Sequence, residues 1–172
     1  MTLRRPSGEA LLVGAILVVG AIGRCWGVTF GLPNTTVHPD EGAIVGIASG
    51  MLYAGLNPRF FHWPSLEFYV VAACYRIGWQ VEHWRGVFQH KWEITGAVAA
   101  HPAPFILVPR MLAVVAGVAT IWCVYRFTRQ ALDRTTALVA SFFLAVAFLH
   151  LRDSHFGVTE TPMTYLAMAA MI

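Results

Sequence analysis

The sequence predicts an all-α, polytopic integral membrane protein, and three observations carry the prediction. Of its 172 residues, 57% are hydrophobic and 12% charged, roughly half the charged share usual in soluble proteins. Apolar stretches near the ~20 residues a bilayer core demands recur along the chain. The basic residues are spaced so that short loops between these stretches differ in charge, which orients them. Net charge is +3, eleven of the twelve basic residues are arginine, and they are scattered. That excludes a nucleic-acid-binding patch. Cys25, Cys74 and Cys123 lie far apart without a CxxC pair and read as small apolar residues.

The first membrane helix is expected over 10–30. Arg4 and Arg5 before an apolar run resemble the start of a signal peptide, but Arg24, Cys25 and Trp26 stand where a small-residue cleavage site belongs, so an uncleaved helix is expected. An external segment over 31–104 follows, too long for a plain connector. Within it, Ile44, Ile47, Ala48, Met51 and Leu52 recur at helical spacing, predicting an amphipathic interfacial helix near 41–54 that ends at Gly55, Asn57 and Pro58. A second interfacial helix is expected near 63–82, with Pro64 in its first turn; Glu67 and Arg76 interrupt its apolar run. Further membrane helices are expected over 105–127 and 135–151. A fourth starts over 161–172, whose length of about 18 Å is short of a bilayer core, so the chain reads as the front of a longer one.

Orientation follows from the arginines. Arg4 and Arg5 place the N-terminus on the cytoplasmic side of an inner or plasma membrane. If 63–82 does not span, Arg126, Arg129 and Arg134 fall on that side too, the arrangement the positive-inside rule favours. Asp40, Glu41, Glu67, Glu82, Glu93, Asp153 and Glu160 then lie outside, and only Glu9 and Asp133 inside.

The stretch "TTVHPDEGAI", Thr35–Ile44, is the chemical anomaly, because adjacent carboxylates repel and are costly to bury. Asp40 could cap the helix with Glu41 in its first turn, and the same placement would present a fixed carboxylate at the outer face. His62 and Glu67 in "FFHWPSLEFY" suit a headgroup-facing segment. His38, Asp40, His62 and Glu67 could share a divalent metal, although no spacing among them is diagnostic. The loop "HLRDSHFGVTETP", His150–Pro162, offers Arg152, His155 and Glu160, with a local Arg152–Asp153 pairing as the plainer reading. Arg110 either snorkels to headgroups or holds a substrate phosphate.

Taken in order, "HPDE" after the first helix, "NPRFFHWPSLEFYVVA", "PRMLAVVAGVATIWCVYRFTRQ" and "SHFGVTETPMTYLAMA" resemble the N-terminal part of a GT-C class, polyprenyl-phosphate-sugar-dependent glycosyltransferase. The branch they resemble is the family 39-like one of protein O-mannosyltransferases and aminoarabinose transferases. The resemblance spans roughly Arg24–Ile172. It implies juxtamembrane helices in the first external loop, Asp40 at the position of the catalytic aspartate, and Glu41 as its neighbour. "HWPSL", His62–Leu66, resembles the family's proline motif, Arg110 the arginine opening the next membrane helix, and Glu160 stands where a D-x-P aspartate is common.

A polyprenyl-phosphate sugar carries its own leaving group, so one carboxylate acting as general base on an acceptor hydroxyl suffices. Asp40 is the expected base, with inversion, and Arg110, Arg152 and then His62 are expected to stabilise the departing phosphate. The expected partners are a polyprenyl-phosphate-linked sugar donor, a lipid, glycan or protein hydroxyl acceptor, and the membrane. The alternative is a non-catalytic transporter or polyprenyl-lipid-binding subunit; transporters gather ionisable residues near the bilayer midplane, whereas here they collect in the outer layer, apart from Arg24.

Overall fold

The computed structural model describes residues 7–34 and 37–172. Arg4 and Arg5, on which the expected orientation rests, lie outside the described residues, as do Thr35 and Thr36. The described chain is all-helical, in the order α1 (Gly8–Trp26), α2 (Pro39–Ala54), α3 (Leu66–Trp84), α4 (Glu93–Ala100), α5 (Pro102–Ala131), α6 (Arg134–Val146), α7 (Phe148–Asp153) and α8 (Glu160–Ala169). Two of these, α1 and α5, are long and apolar enough to cross a membrane.

α5 is the axis. Its thirty residues extend about 45 Å at 1.5 Å per residue, and it touches every other helix. Around its N-terminal half, α2, α3 and α4 bury Ile44, Val45, Ala48, Phe68, Val71, Tyr75, Ile94 and Ile106. Around its C-terminal half, α1 and α6 pack through Val13, Tyr125 and Ala137. α1 runs antiparallel to α5: Val28 and Phe30, just past the end of α1, meet Arg110. Glu9, at the start of α1, accepts hydrogen bonds from Tyr125 (2.6 Å) and Arg129 (3.1 Å). Arg134 also lies 3.7 Å from Glu9, so that end of the bundle carries an acidic and basic cluster.

Local chemistry explains where elements begin and break. Ser7 caps α1 by accepting from the Ala10 amide, and Asp133 caps α6 by accepting from the Thr135 and Thr136 amides, each satisfying orphan donors of a first turn. α2 begins one residue before the expected cap. Pro39 takes the first helical position, which its fixed φ suits, so His38 is the residue before the helix and Asp40 lies inside the first turn, not at the cap. α3 begins at Leu66, leaving Pro64 ahead of the helix and not in its first turn. Pro109 lies inside α5; lacking an N–H, it leaves the Phe105 carbonyl without its helical donor. Tyr75 of α3 supplies the replacement, its hydroxyl donating to Phe105 O at 2.7 Å.

The single helix expected over 135–151 is two. Ala147 is extended (φ −61°, ψ 117°) and separates α6 from α7. The cause lies on α1: Arg24, fully buried, donates to the carbonyls of Gly20 (2.9 Å) and Ala145 (3.1 Å) and pairs with His150 Nδ1 at 2.7 Å. A guanidinium in this apolar setting needs acceptors, and the break supplies one. Gly117 of α5 makes room for it, since a Cβ there would lie 2.8 Å from Arg24 Nε and 2.5 Å from Ser154 Oγ. α4 is an element the sequence reading did not anticipate.

Candidate functional site

The adjacent carboxylates Asp40 and Glu41 differ in their partners. Glu41 turns inward and is 2% exposed; Arg110, from α5, is 1% exposed. The two form a bidentate pair, Nε to Oε1 and Nη2 to Oε2, each at 2.7 Å. Arg110 Nη1 donates to the carbonyls of Val28 (2.7 Å) and Phe30 (2.8 Å), and the Gly157 amide donates to Glu41 Oε1 at 2.7 Å. The Phe156 ring lies against the guanidinium, 5.4 Å from ring centroid to Cζ, and the His38 ring packs on Phe156 at 4.8 Å. Gly157 must be glycine for this approach, because a Cβ would stand 2.6 Å from Pro109 Cβ.

Arg110 is therefore neither snorkelling nor free to hold a substrate phosphate. Four of its five N–H donors are taken by Glu41 and two carbonyls, which is how a buried charge becomes tolerable. Glu41 is likewise structural: its carboxylate accepts three hydrogen bonds and lines neither of the two cavities described below. Together they clamp the turn after α1, the start of α2, the N-terminal third of the 102–131 helix and the loop before α8.

Asp40, one residue away along α2, faces the next residues of the same loop. It makes no hydrogen bond or ion pair with a described residue and lines a recess of about 30 Å³ with Ile44, Trp63, Val158, Thr159 and Glu160, a volume on the scale of one water molecule or two. Thr159 also borders a larger, apolar cleft of about 310 Å³ between α3, α5 and α8, within the lower range of small-molecule sites. Val70, Leu112, Val115, Ala119, Met163 and Leu166 form its walls. Two ionisable residues border it, Tyr165 and Glu67; Glu67 is 6% exposed, and its carboxylate oxygens are buried away from the cleft with neither hydrogen-bonded. Burial, and secondarily the charge of Glu160, push its pKa up to about 7, as expected when desolvation penalises the ionised form.

The other expected residues divide. The loop after α7 does close over the start of α2, but through Gly157, Val158, Thr159 and Glu160, not through Arg152 or His155. Arg152 is exposed and pairs with its neighbour Asp153 at 2.7 Å. His155 Nε2 meets the Gly23 carbonyl at 2.9 Å, bracing α1. His62 is exposed and edge-on to Phe60. Among the described residues no three His, Cys, Asp or Glu side chains come together as metal ligands, so His38, Asp40, His62 and Glu67 do not assemble the site their types suggested.

Trp63 and Thr159 are site-lining residues the sequence reading missed, neither being chemically conspicuous. The Glu41–Arg110 pairing carried a signal, since an arginine within an apolar helix demands an anion. No family model, curated protein or solved structure matches this chain.

Proposed function

We propose that the protein is a membrane glycosyltransferase of the GT-C kind. It would move a sugar from a polyprenyl-phosphate donor to a hydroxyl acceptor at the outer membrane face, with Asp40 as general base and inversion at the anomeric carbon. The observation that carries this reading is the setting of Asp40. Its carboxylate is unengaged, held on a helix start that the Glu41–Arg110 clamp immobilises, and borders a recess that has Thr159 as a common wall with an apolar cleft. A base needs to be free to take a proton and fixed in direction; Glu41 supplies the second by giving up the first. The polytopic arrangement, with the N-terminus cytoplasmic and the site external, belongs to the same proposal. The antiparallel α1 and α5 are consistent with it, because they gather Glu9, Arg129 and Arg134 at the end opposite Asp40.

Phosphate stabilisation falls to Arg152 and His62 in this reading, both exposed and only locally engaged; Arg110 drops out. One observation favours a second reading, a polyprenyl-lipid-binding subunit or transporter without catalysis: no arginine, lysine or histidine lines either cavity. Asp40→Asn in the intact protein separates the two. Loss of a general base lowers transfer by about 10²–10⁴-fold with expression and membrane insertion unchanged, whereas near-normal transfer by the mutant removes Asp40 as the base.

A further inference from the structure

The face of α3 that turns away from the bundle is apolar. Phe68, Val71, Tyr75 and Trp79 pack inward, against α2 and α5. Leu66, Tyr69, Val70, Ile77, Val81 and Trp84 recur at helical spacing on the other side and are exposed. A helix apolar on both faces is one that something covers, and the charges beside the stripe identify the cover. Arg76 flanks it on α3, and Lys91, the chain's one lysine, reaches the same place from the segment between α3 and α4. Their charged ends lie 5.9 and 5.8 Å from the centroid of the Trp79 ring. That ring is held: His83 stacks on it at 4.8 Å, and its Nε1 donates to the His90 carbonyl at 3.3 Å, tying down the residue before Lys91. The carboxylates at this end are engaged elsewhere, Glu82 with Arg85 and Glu93 with the Gln89 amide, each at 2.9 Å. Among the described residues neither Arg76 nor Lys91 forms an ion pair. Two unpaired cations on one indole repel each other until an anion joins them, and cations flanking an apolar stripe match an acidic headgroup above acyl chains.

We infer that Arg76 and Lys91 together bind the phosphate of an acidic phospholipid of the outer leaflet, with the stripe of α3 lying among its acyl chains. The guanidinium offers the phosphate paired N–H donors, and the ammonium adds a point charge. The inference rests on the proposed external, non-spanning placement of α3 and is independent of glycosyl transfer. The phosphate is not the donor's. Trp63, which borders the Asp40 recess, precedes α3, whereas Arg76 stands about 15 Å along the helix from its start at Leu66. The bound lipid anchors α3 and the loop behind it to the leaflet at one depth.

The test uses the intact protein in nanodiscs of phosphatidylcholine, alone or mixed with phosphatidylglycerol. Lys91 is acetylated with the neutral N-hydroxysuccinimide ester of acetic acid, and its rate is read by mass spectrometry. A basic residue near an acidic surface gains roughly fivefold in binding, so phosphatidylglycerol should slow the acetylation of Lys91 at least about tenfold. Arg76→Gln removes an exposed, unpaired side chain and leaves the lipid surface potential as it was, so it should return the rate to within about twofold of that in phosphatidylcholine. Protection unchanged in Arg76→Gln means a general surface effect and overturns the inference. So does equal reactivity in the two lipids, or equal protection by inorganic phosphate in phosphatidylcholine discs. The stripe is read with a bimane on Ile77→Cys in a cysteine-free background. Spin labels near the headgroup should quench it more than labels near the chain ends. Stronger quenching by the deep labels, as in a spanning α3, or none, as when a protein segment covers the stripe, overturns the inference as well. Gln130→Cys, labelled from outside, reports failure of the topology itself. Lost Lys91 protection with position 130 inside sinks the lipid site alone.

Discussion

Removing either partner of the Glu41–Arg110 pair strands a buried charge, and Glu41→Gln or Arg110→Leu should each destabilise the fold by about 3–5 kcal/mol. Changing both together should cost less than the sum, a coupling that a double-mutant cycle of thermal unfolding in detergent measures. The recovery stays incomplete, because in the double variant the Val28 and Phe30 carbonyls still lack the donor that Arg110 supplied. Glu67 makes the opposite prediction. Its folded pKa, about 7, exceeds its ordinary value of 4.5. Folding therefore favours the protonated acid, and that contribution is fully present below about 4.5 and lost as pH rises through about 7. Unfolding midpoints of the parent protein should fall relative to Glu67→Gln between about pH 5 and pH 8. Parallel pH dependence of the two proteins would mean that Glu67 is hydrated and titrates normally.

Among the elements, the 102–131 helix keeps its continuity through Pro109 because a tyrosine from another helix replaces the lost donor. Tyr75→Phe leaves the Phe105 carbonyl buried and unpaired, and should cost about 1–3 kcal/mol while hardly changing packing volume. Urea or thermal unfolding of the detergent-solubilised protein reads it. This substitution marks the boundary of what sequence reasoning could reach. The periodicity of Ile44, Ile47, Ala48, Met51 and Leu52 announced α2, and all but the half-buried Ile47 are buried; apolar length announced α1 and the 102–131 helix. The break at Ala147 was illegible, since nothing between Arg134 and Asp153 demands it. Its cause is Arg24, 121 residues distant from Ala145. The same limit applied to the site. Adjacent acids drew attention to Asp40 and Glu41, but their division into one paired and one open carboxylate depends on Arg110 and Gly157, which only the packed fold delivers.

For the whole molecule, the proposed topology rests on α1 and α5 crossing in opposite directions with α3 held to one side. In a cysteine-free background, His90→Cys should react with an impermeant thiol reagent from outside intact cells, and Gln130→Cys only after the membrane is opened. Both positions are exposed. External labelling at 130 would mean that α3 spans and the order of sides is inverted. The clamp that joins the two halves also has a timetable. Glu41 leaves the ribosome 69 residues before Arg110, and Gly157 follows Glu41 by 116. At about 5–20 residues per second, the carboxylate waits roughly 3–14 s for its cation. Through that interval, water is the only medium that keeps Glu41 at low cost. The start of α2 must therefore stay on the aqueous side while the third hydrophobic stretch is still being made. Assembly has an enforced order: the start of α2 waits in water first, and the arriving arginine draws Glu41 into the packed interior.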